Sequence, residues 1–140
     1  FCGGDAVGAK TVIETLPGMF PLSCNKRMNE LFAANAKSAY PDVEIKDAGH
    51  FSASTDMGDV SHLMPVIHPF IGGTDGLLHT PDFHMVDFNA AVLLPAKAFA
   101  MMLIDLLYDD AKEAKAILAD FKPILTKEEY IAKLESYFNK

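Results

Sequence analysis

Apolar residues recur along this chain at two different periods, and each change of period marks an element. Met28, Leu31, Phe32 and Ala36 fall at helical spacing, with Ser23 or Asn25 ahead of them to cap the helix. Tyr40-Pro41 stops that helix, because the residue before proline avoids the α region. Val43 and Ile45 alternate with Glu44 and Lys46, the pattern of a half-buried strand. Val12-Ile13 lies in the run Thr11 to Thr15, which also predicts a strand, ended by the turn Leu16-Pro17-Gly18. Residues 48 to 61 are rich in Gly, Ser and Asp and read as loop with a short helix after Asp56. Val66 to Ile71 predicts a third strand, at an edge or interrupted, given Pro65 and Pro69.

Gly72-Gly73 opens a loop to Asp87. From Asn89 to about Tyr108 the chain predicts a helix capped by Asp87 or Asn89, with Pro95 starting a segment or kinking it. Ala98, Met101, Met102, Ile104 and Leu106 leave almost no polar face, so this helix is expected to be deeply buried. Amphipathic helices follow at Asp110 to Phe121 and Thr126 to Phe138. Thr126 and Glu129 form a capping-box signature. The order strand, helix, strand, loop, strand, helices predicts an α/β fold with helices covering a sheet.

Composition narrows the function classes. The 140 residues suit one domain, and 50% of them are hydrophobic, enough to bury a core. The net charge is −7 and no Lys/Arg cluster stands out, which excludes nucleic acid and anionic membrane surfaces as expected partners. No stretch is read as long and apolar enough to span a bilayer. Cys2 and Cys24 form no CxxC pattern and are expected as free thiols in a reducing, cytoplasmic setting. The first residue is Phe rather than Met, without signal-peptide character, so the chain reads as a piece of something longer.

Candidate chemistry concentrates in two places. His79, in Leu77-Leu78-His79-Thr80-Pro81, follows Gly72, Gly73 and Gly76, which let backbone approach a ligand closely. The turn Ser54-Thr55-Asp56-Met57-Gly58-Asp59-Val60-Ser61 offers Asp56 and Asp59 either as helix caps or as orienting carboxylates. His62 and His68 are less specific, His68 suiting a core position in the apolar strand, and His50 and His84 carry no motif. No His-Glu-x-x-His run, zinc-finger spacing, Gly-x-Ser-x-Gly elbow or P-loop is present. The seven methionines fit core filling.

Thr55-Asp56-Met57-Gly58-Asp59-Val60-Ser61, Met64-Pro65, His79-Thr80-Pro81 and the Pro95-Ala96-Lys97-Ala98 helix resemble the C-terminal part of a zinc metallopeptidase family. That family includes aminoacylases, glutamate carboxypeptidases and auxin-conjugate hydrolases. The nearest branch is the amidohydrolases similar to p-aminobenzoyl-glutamate hydrolase. Leu16-Pro17-Gly18-Met19-Phe20-Pro21-Leu22 resembles the segment where such proteins leave their lid domain. The resemblance runs from about Ala9 to Leu107. It implies a lid remnant over 1–17 and the C-terminal half of a sheet-based catalytic domain over 18–140.

By the same resemblance, two zinc ions and a bridging water act on an amide carbonyl, with a glutamate as general base. His79 would be the one metal ligand from this half, with no catalytic residue of its own. Thr55, Asp56, Asp59 and Gly73 would lie near substrate or behind the ligands. The implied partners are the N-terminal half of the same domain, a small amide or peptide substrate, and a second copy in a homo-oligomer. The literal Gly73-Thr74-Asp75 departs from the family pattern, which aligns better at Asp56, so Asp75 has no assigned role. The competing reading is a non-catalytic α/β ligand-binding or interaction module.

One histidine cannot hold a catalytic zinc, which takes about three protein ligands. The chain alone is therefore expected to bind zinc weakly and without defined stoichiometry. Calorimetry showing tight one-to-one binding would mean that His68, His84 or Asp75 converges with His79.

Overall fold

Asn25 is the residue that starts the first long helix. Its side chain accepts from the Met28 backbone N–H at 3.0 Å, and α2 runs from Lys26–Ala39 until Tyr40 closes it with a bond to the Ala36 carbonyl. The computed structural model describes residues 2–14, 16–47, 49 and 54–138. Before α2 stands the short α1 (Cys2–Asp5), and after it the short α3 (Met57–Ser61). A small antiparallel hairpin follows, β1 (Thr74–Asp75) and β2 (His84–Met85), with Thr74 opposite Met85 and Asp75 opposite His84. A π-helical turn, Asn89–Leu93, leads into α4 (Leu94–Asp120), and α5 (Lys127–Phe138) closes the chain.

The cap of the long helical run is Asp87. Its Oδ1 accepts from the backbone N–H of Asn89 at 2.9 Å and of Ala90 at 3.1 Å. Pro95 sits in the first turn of α4, directly after the π-helical turn. α4 is broken at Tyr108, Asp109, Asp110 and Ala111, the last three left-handed, so two limbs cover 94–107 and 112–120. The break falls between the two helices that the apolar pattern separates. The capping box of α5 forms as expected: Thr126 N–H donates to Glu129 Oε2 at 2.7 Å, and Glu129 N–H donates to Thr126 Oγ1 at 3.2 Å.

The core is the contact of α2 with α4. Phe32, Ala36, Ala98 and Met102 are buried there, with Met28, Leu31, Val43, Ile67, Ile71, Leu94 and Leu106 packed around them. Two alanines facing each other let the helices approach closely, and Phe32 lies 4.8 Å from the ring of Phe99. Asn35 Nδ2 donates to Asp105 Oδ2 at 2.7 Å, which satisfies a buried amide beside this core. Arg27 grips Glu113 through two bonds of 2.6 and 2.7 Å, joining the start of α2 to the second limb of α4.

Two expectations are corrected here. The apolar helix is not deeply buried: Ala98 and Met102 are, but Leu103, Ile104 and Leu107 are 56–65% exposed. The helical run Asn89–Asp120 also has an 18-residue window of mean hydropathy 1.9, only 11% buried, so by length and composition it could cross a membrane. The core helix of a soluble protein passes the same test.

Among the described residues β1 and β2 are the only paired strands. The segments 11–14, 43–46 and 66–71 run without ladder partners. Thr15 lies outside the described residues, as do His50 and most of the Gly/Ser loop around it. A strand needs a neighbour for its backbone N–H and C=O groups. The segments 43–46 and 66–71 have side-chain burial instead: Val43, Ile67 and Ile71 border the core, and Val66 is buried with its carbonyl accepting from Asn25 N–H at 2.8 Å; Val12 and Ile13 are exposed. The chain exposes 10500 Å², against about 7,100 Å² for a compact monomer of 15.3 kDa.

The Arg27 hydrogen bonds hold the Glu113 carboxyl below its ordinary value of 4.5. A lowered folded-state value contributes stability that is present above the unfolded pKa and lost as pH falls through the folded one. Glu113→Gln is therefore expected to unfold at lower denaturant than the parent chain at neutral pH. The two midpoints should converge below about pH 4. Both groups face solvent, so the difference at neutral pH should shrink with added salt.

Candidate metal and substrate site

The acidic turn and the His-Thr-Pro turn are built by different local rules. α3 starts after Thr55 and Asp56, and the Asp56 carboxylate does not cap it: Asp56 makes no side-chain bond to the helix, while Met57 N–H reaches the Thr55 hydroxyl Oγ1 at 3.4 Å. Thr55 Oγ1 also donates to Asp56 Oδ1 at 3.3 Å, and Asp56 is exposed. Asp59 points the other way. Its Oδ1 accepts from Phe20 N–H at 2.8 Å and its Oδ2 from the Tyr130 hydroxyl at 3.4 Å. The two aspartates read together in the sequence thus divide: Asp56 faces solvent, and Asp59 ties the turn to residues far away in the chain.

Ser61 and His62, directly behind, are buried. Ser61 Oγ donates to the Gly58 carbonyl at 2.6 Å and accepts from Ser23 N–H at 3.0 Å. His62 Nδ1 lies 2.9 Å from the same Gly58 carbonyl, which can only accept, so Nδ1 carries the proton. The Ser61 hydroxyl proton is committed to Gly58, so Ser61 and His62, though 3.5 Å apart, are no nucleophile and base. They are packing residues, and the His62 carbonyl accepts from Ile124 N–H at 2.9 Å and Leu125 N–H at 3.2 Å. The sequence pattern missed these links because Phe20, Ser23, Ile124 and Tyr130 lie far from the turn in the chain.

His79 stands at the tip of the β1–β2 hairpin. It is exposed and has a left-handed backbone, φ 63°. Histidine tolerates that region better than most residues, yet the conformation is a strained one that concentrates at functional turns. The loop is held around it: Thr80 Oγ1 donates to the Leu77 carbonyl at 2.8 Å, and His84 Nδ1 lies 2.6 Å from the Asp82 carbonyl. Gly73 is required at the base. Its carbonyl accepts from Val86 and Asp87 N–H at 2.9 and 3.1 Å, its φ is 90°, and a Cβ there would lie 2.6 Å from Ala91 N and 2.7 Å from the Asp87 carbonyl. Gly73 therefore shapes the hairpin and its neighbouring helical turn. Asp75, left without a role by the sequence, accepts from Gly76 N–H at 2.8 Å within the same hairpin.

Among the described residues no group of three His, Cys, Asp or Glu side chains gathers to hold a metal ion. His79 is presented outward, and the acidic turn is tied to residues 20–23 and 124–130 rather than to it. The donors present do not make a complete zinc centre, which takes about three protein ligands. Cys2 and Cys24 are both free thiols.

The chain is 32% identical to Xaa-Arg dipeptidase of Mus musculus over 114 residues, 76% of this chain and 26% of that protein. It is 33% identical to Xaa-Arg dipeptidase of Homo sapiens over 89 residues, 60% of this chain and 20% of that protein. The chain spans about a quarter of the length of the curated relatives it matches. No family model matches it, and no solved structure matches it.

The packing behind the acidic turn has one tight point. Gly58 is buried against residue 20, and a methyl group there would overlap the Phe20 carbonyl oxygen. Gly58→Ala must move backbone and is expected to cost about 1–3 kcal/mol, as overpacking does. A denaturation midpoint equal to that of the parent chain would show that the turn and residue 20 are not in contact.

Proposed function

We propose that this chain is part of a peptidase or amidohydrolase that cleaves an amide bond to an amino acid or within a short peptide. The observation that supports it best is the similarity to the two Xaa-Arg dipeptidases, which takes in up to 76% of the chain. The exposed, left-handed His79 supports it from the structure, since a ligand completed by other parts of a protein must be presented outward.

In this reading His79 supplies one ligand to a zinc centre whose other ligands lie on the N-terminal half of the same catalytic domain. Thr55 and Asp56 face the substrate side, and Gly73 keeps the hairpin in shape. Asp59 serves behind them as an anchor. The N-terminal half covers the apolar face of α4 at Leu103, Ile104 and Leu107. It also offers strand partners to the segments 43–46 and 66–71, which completes a helix-covered sheet. The surface in excess of a compact monomer, roughly 3,400 Å² by the size relation, is more than a standard interface buries.

In the full-length protein, His79→Ala is expected to lower bound zinc and to cut amide hydrolysis by about a hundredfold or more, as the loss of strong electrostatic stabilisation does. Thermal stability without metal should stay nearly unchanged, because an exposed side chain adds little to the core. Zinc quantification with steady-state kinetics decides it. Full activity and full zinc content in the variant would remove His79 from the site.

A further inference from the structure

The C-terminal helix α5 contributes no buried residue to any core. Among the described residues, Tyr130, half-buried like Leu134 and Tyr137, joins α5 to the acidic turn: the hydroxyl reaches Asp59 Oδ2, and the ring lies 6.0 Å from that of Phe20. Phe20 in turn lies 4.9 Å from the His62 ring and donates its N–H to the other oxygen of Asp59. Just ahead of α5, Ile124 and Leu125 donate to the His62 carbonyl.

We propose that α5 is a clamp on the acidic turn, which Tyr130 closes through Phe20 and Asp59. The hydroxyl bond, at 3.4 Å, is long for an O–H donor, so ring packing carries more of the joint than the bond does. Burial and the adjacent Asp59 carboxylate push the Tyr130 phenol above its ordinary value of 10.0, so the neutral hydroxyl is the form that stays docked. A clamp of this kind opens locally without unfolding the α2–α4 core, because the two share no buried residue. The proposal stands on contacts within this chain and does not depend on the peptidase reading.

Hydrogen exchange on the 140-residue chain tests it with two variants. Tyr130→Ala removes ring and hydroxyl and is expected to raise exchange about tenfold at the amides of 57–64 as well as in α5, with α2 and the first limb of α4 unchanged. Tyr130→Phe keeps the ring and is expected to raise exchange at 57–64 by about twofold only. Faster exchange in α5 with a fully protected turn would overturn the clamp and make α5 a passive tail. An equal rise through α2 would overturn it as well, since that is general destabilisation. Should the alanine variant fail to fold, the phenylalanine variant still decides: a rise confined to 57–64 and α5 upholds the clamp, and an unchanged turn refutes it.

Discussion

The close packing of α2 against the first limb of α4 forms the core of this chain. Ala36 and Ala98 allow the approach, and Phe32 and Met102 fill what remains. Burying one such aromatic side chain stabilises by about 1.5–3 kcal/mol, and truncating it in a core costs about 3–5 kcal/mol. The core is small, so each of its members matters. Val43, Ile67 and Ile71 reach it from segments without regular structure, which is how residues 41–46 and 66–71 are held. The Asn35–Asp105 and Arg27–Glu113 contacts fix the register of the two helices, the second across the break in α4.

From this core the two candidate regions hang differently. The acidic turn is held by a dense set of bonds that joins residues 20–23, 58–62 and 124–130. The hairpin that carries His79 is held only at its base, where Gly73 meets the start of the π-helical turn. A clamped carboxylate turn and an outward histidine suit a site shared with other chain segments. Rate-determining geometry in such a site would depend on how the hairpin is seated by its partner.

The same division explains the surface. The first limb of α4 is largely apolar but covered on one side, and the hairpin region exposes Leu77, Leu78, Met85, Val86 and Phe88. The run Asn89–Asp120 also has the length and hydropathy of a membrane span, and it packs on Phe32, Asn35 and Ala36 along one side. Helix-pair packing and an uncovered second face together fit a buried helix of a larger assembly.

Local signals placed α2, α4 and α5. Caps act within a few residues, so the chain narrows them to Ser23 or Asn25, to Asp87 or Asn89 and to the Thr126–Glu129 pair, and the structure uses Asn25, Asp87 and the pair, with Pro95 at the start of α4. The sequence also singled out Gly73 and His79, because glycine freedom and a histidine turn are local properties. Tertiary structure alone decided the rest. Alternation at Val43–Lys46 specifies a face to bury but not a ladder, since a strand exists only with a neighbour. The apolar character of α4 could not tell which side would be covered; Phe32 and Ala36 settled that by packing on one side only. Asp56 and Asp59 look alike in the chain, and only the distant Phe20 and Tyr130 separate an exposed carboxylate from an anchoring one. Capping energies act over one helical turn, whereas burial and side-chain pairing act across the fold, and a linear pattern records only the first.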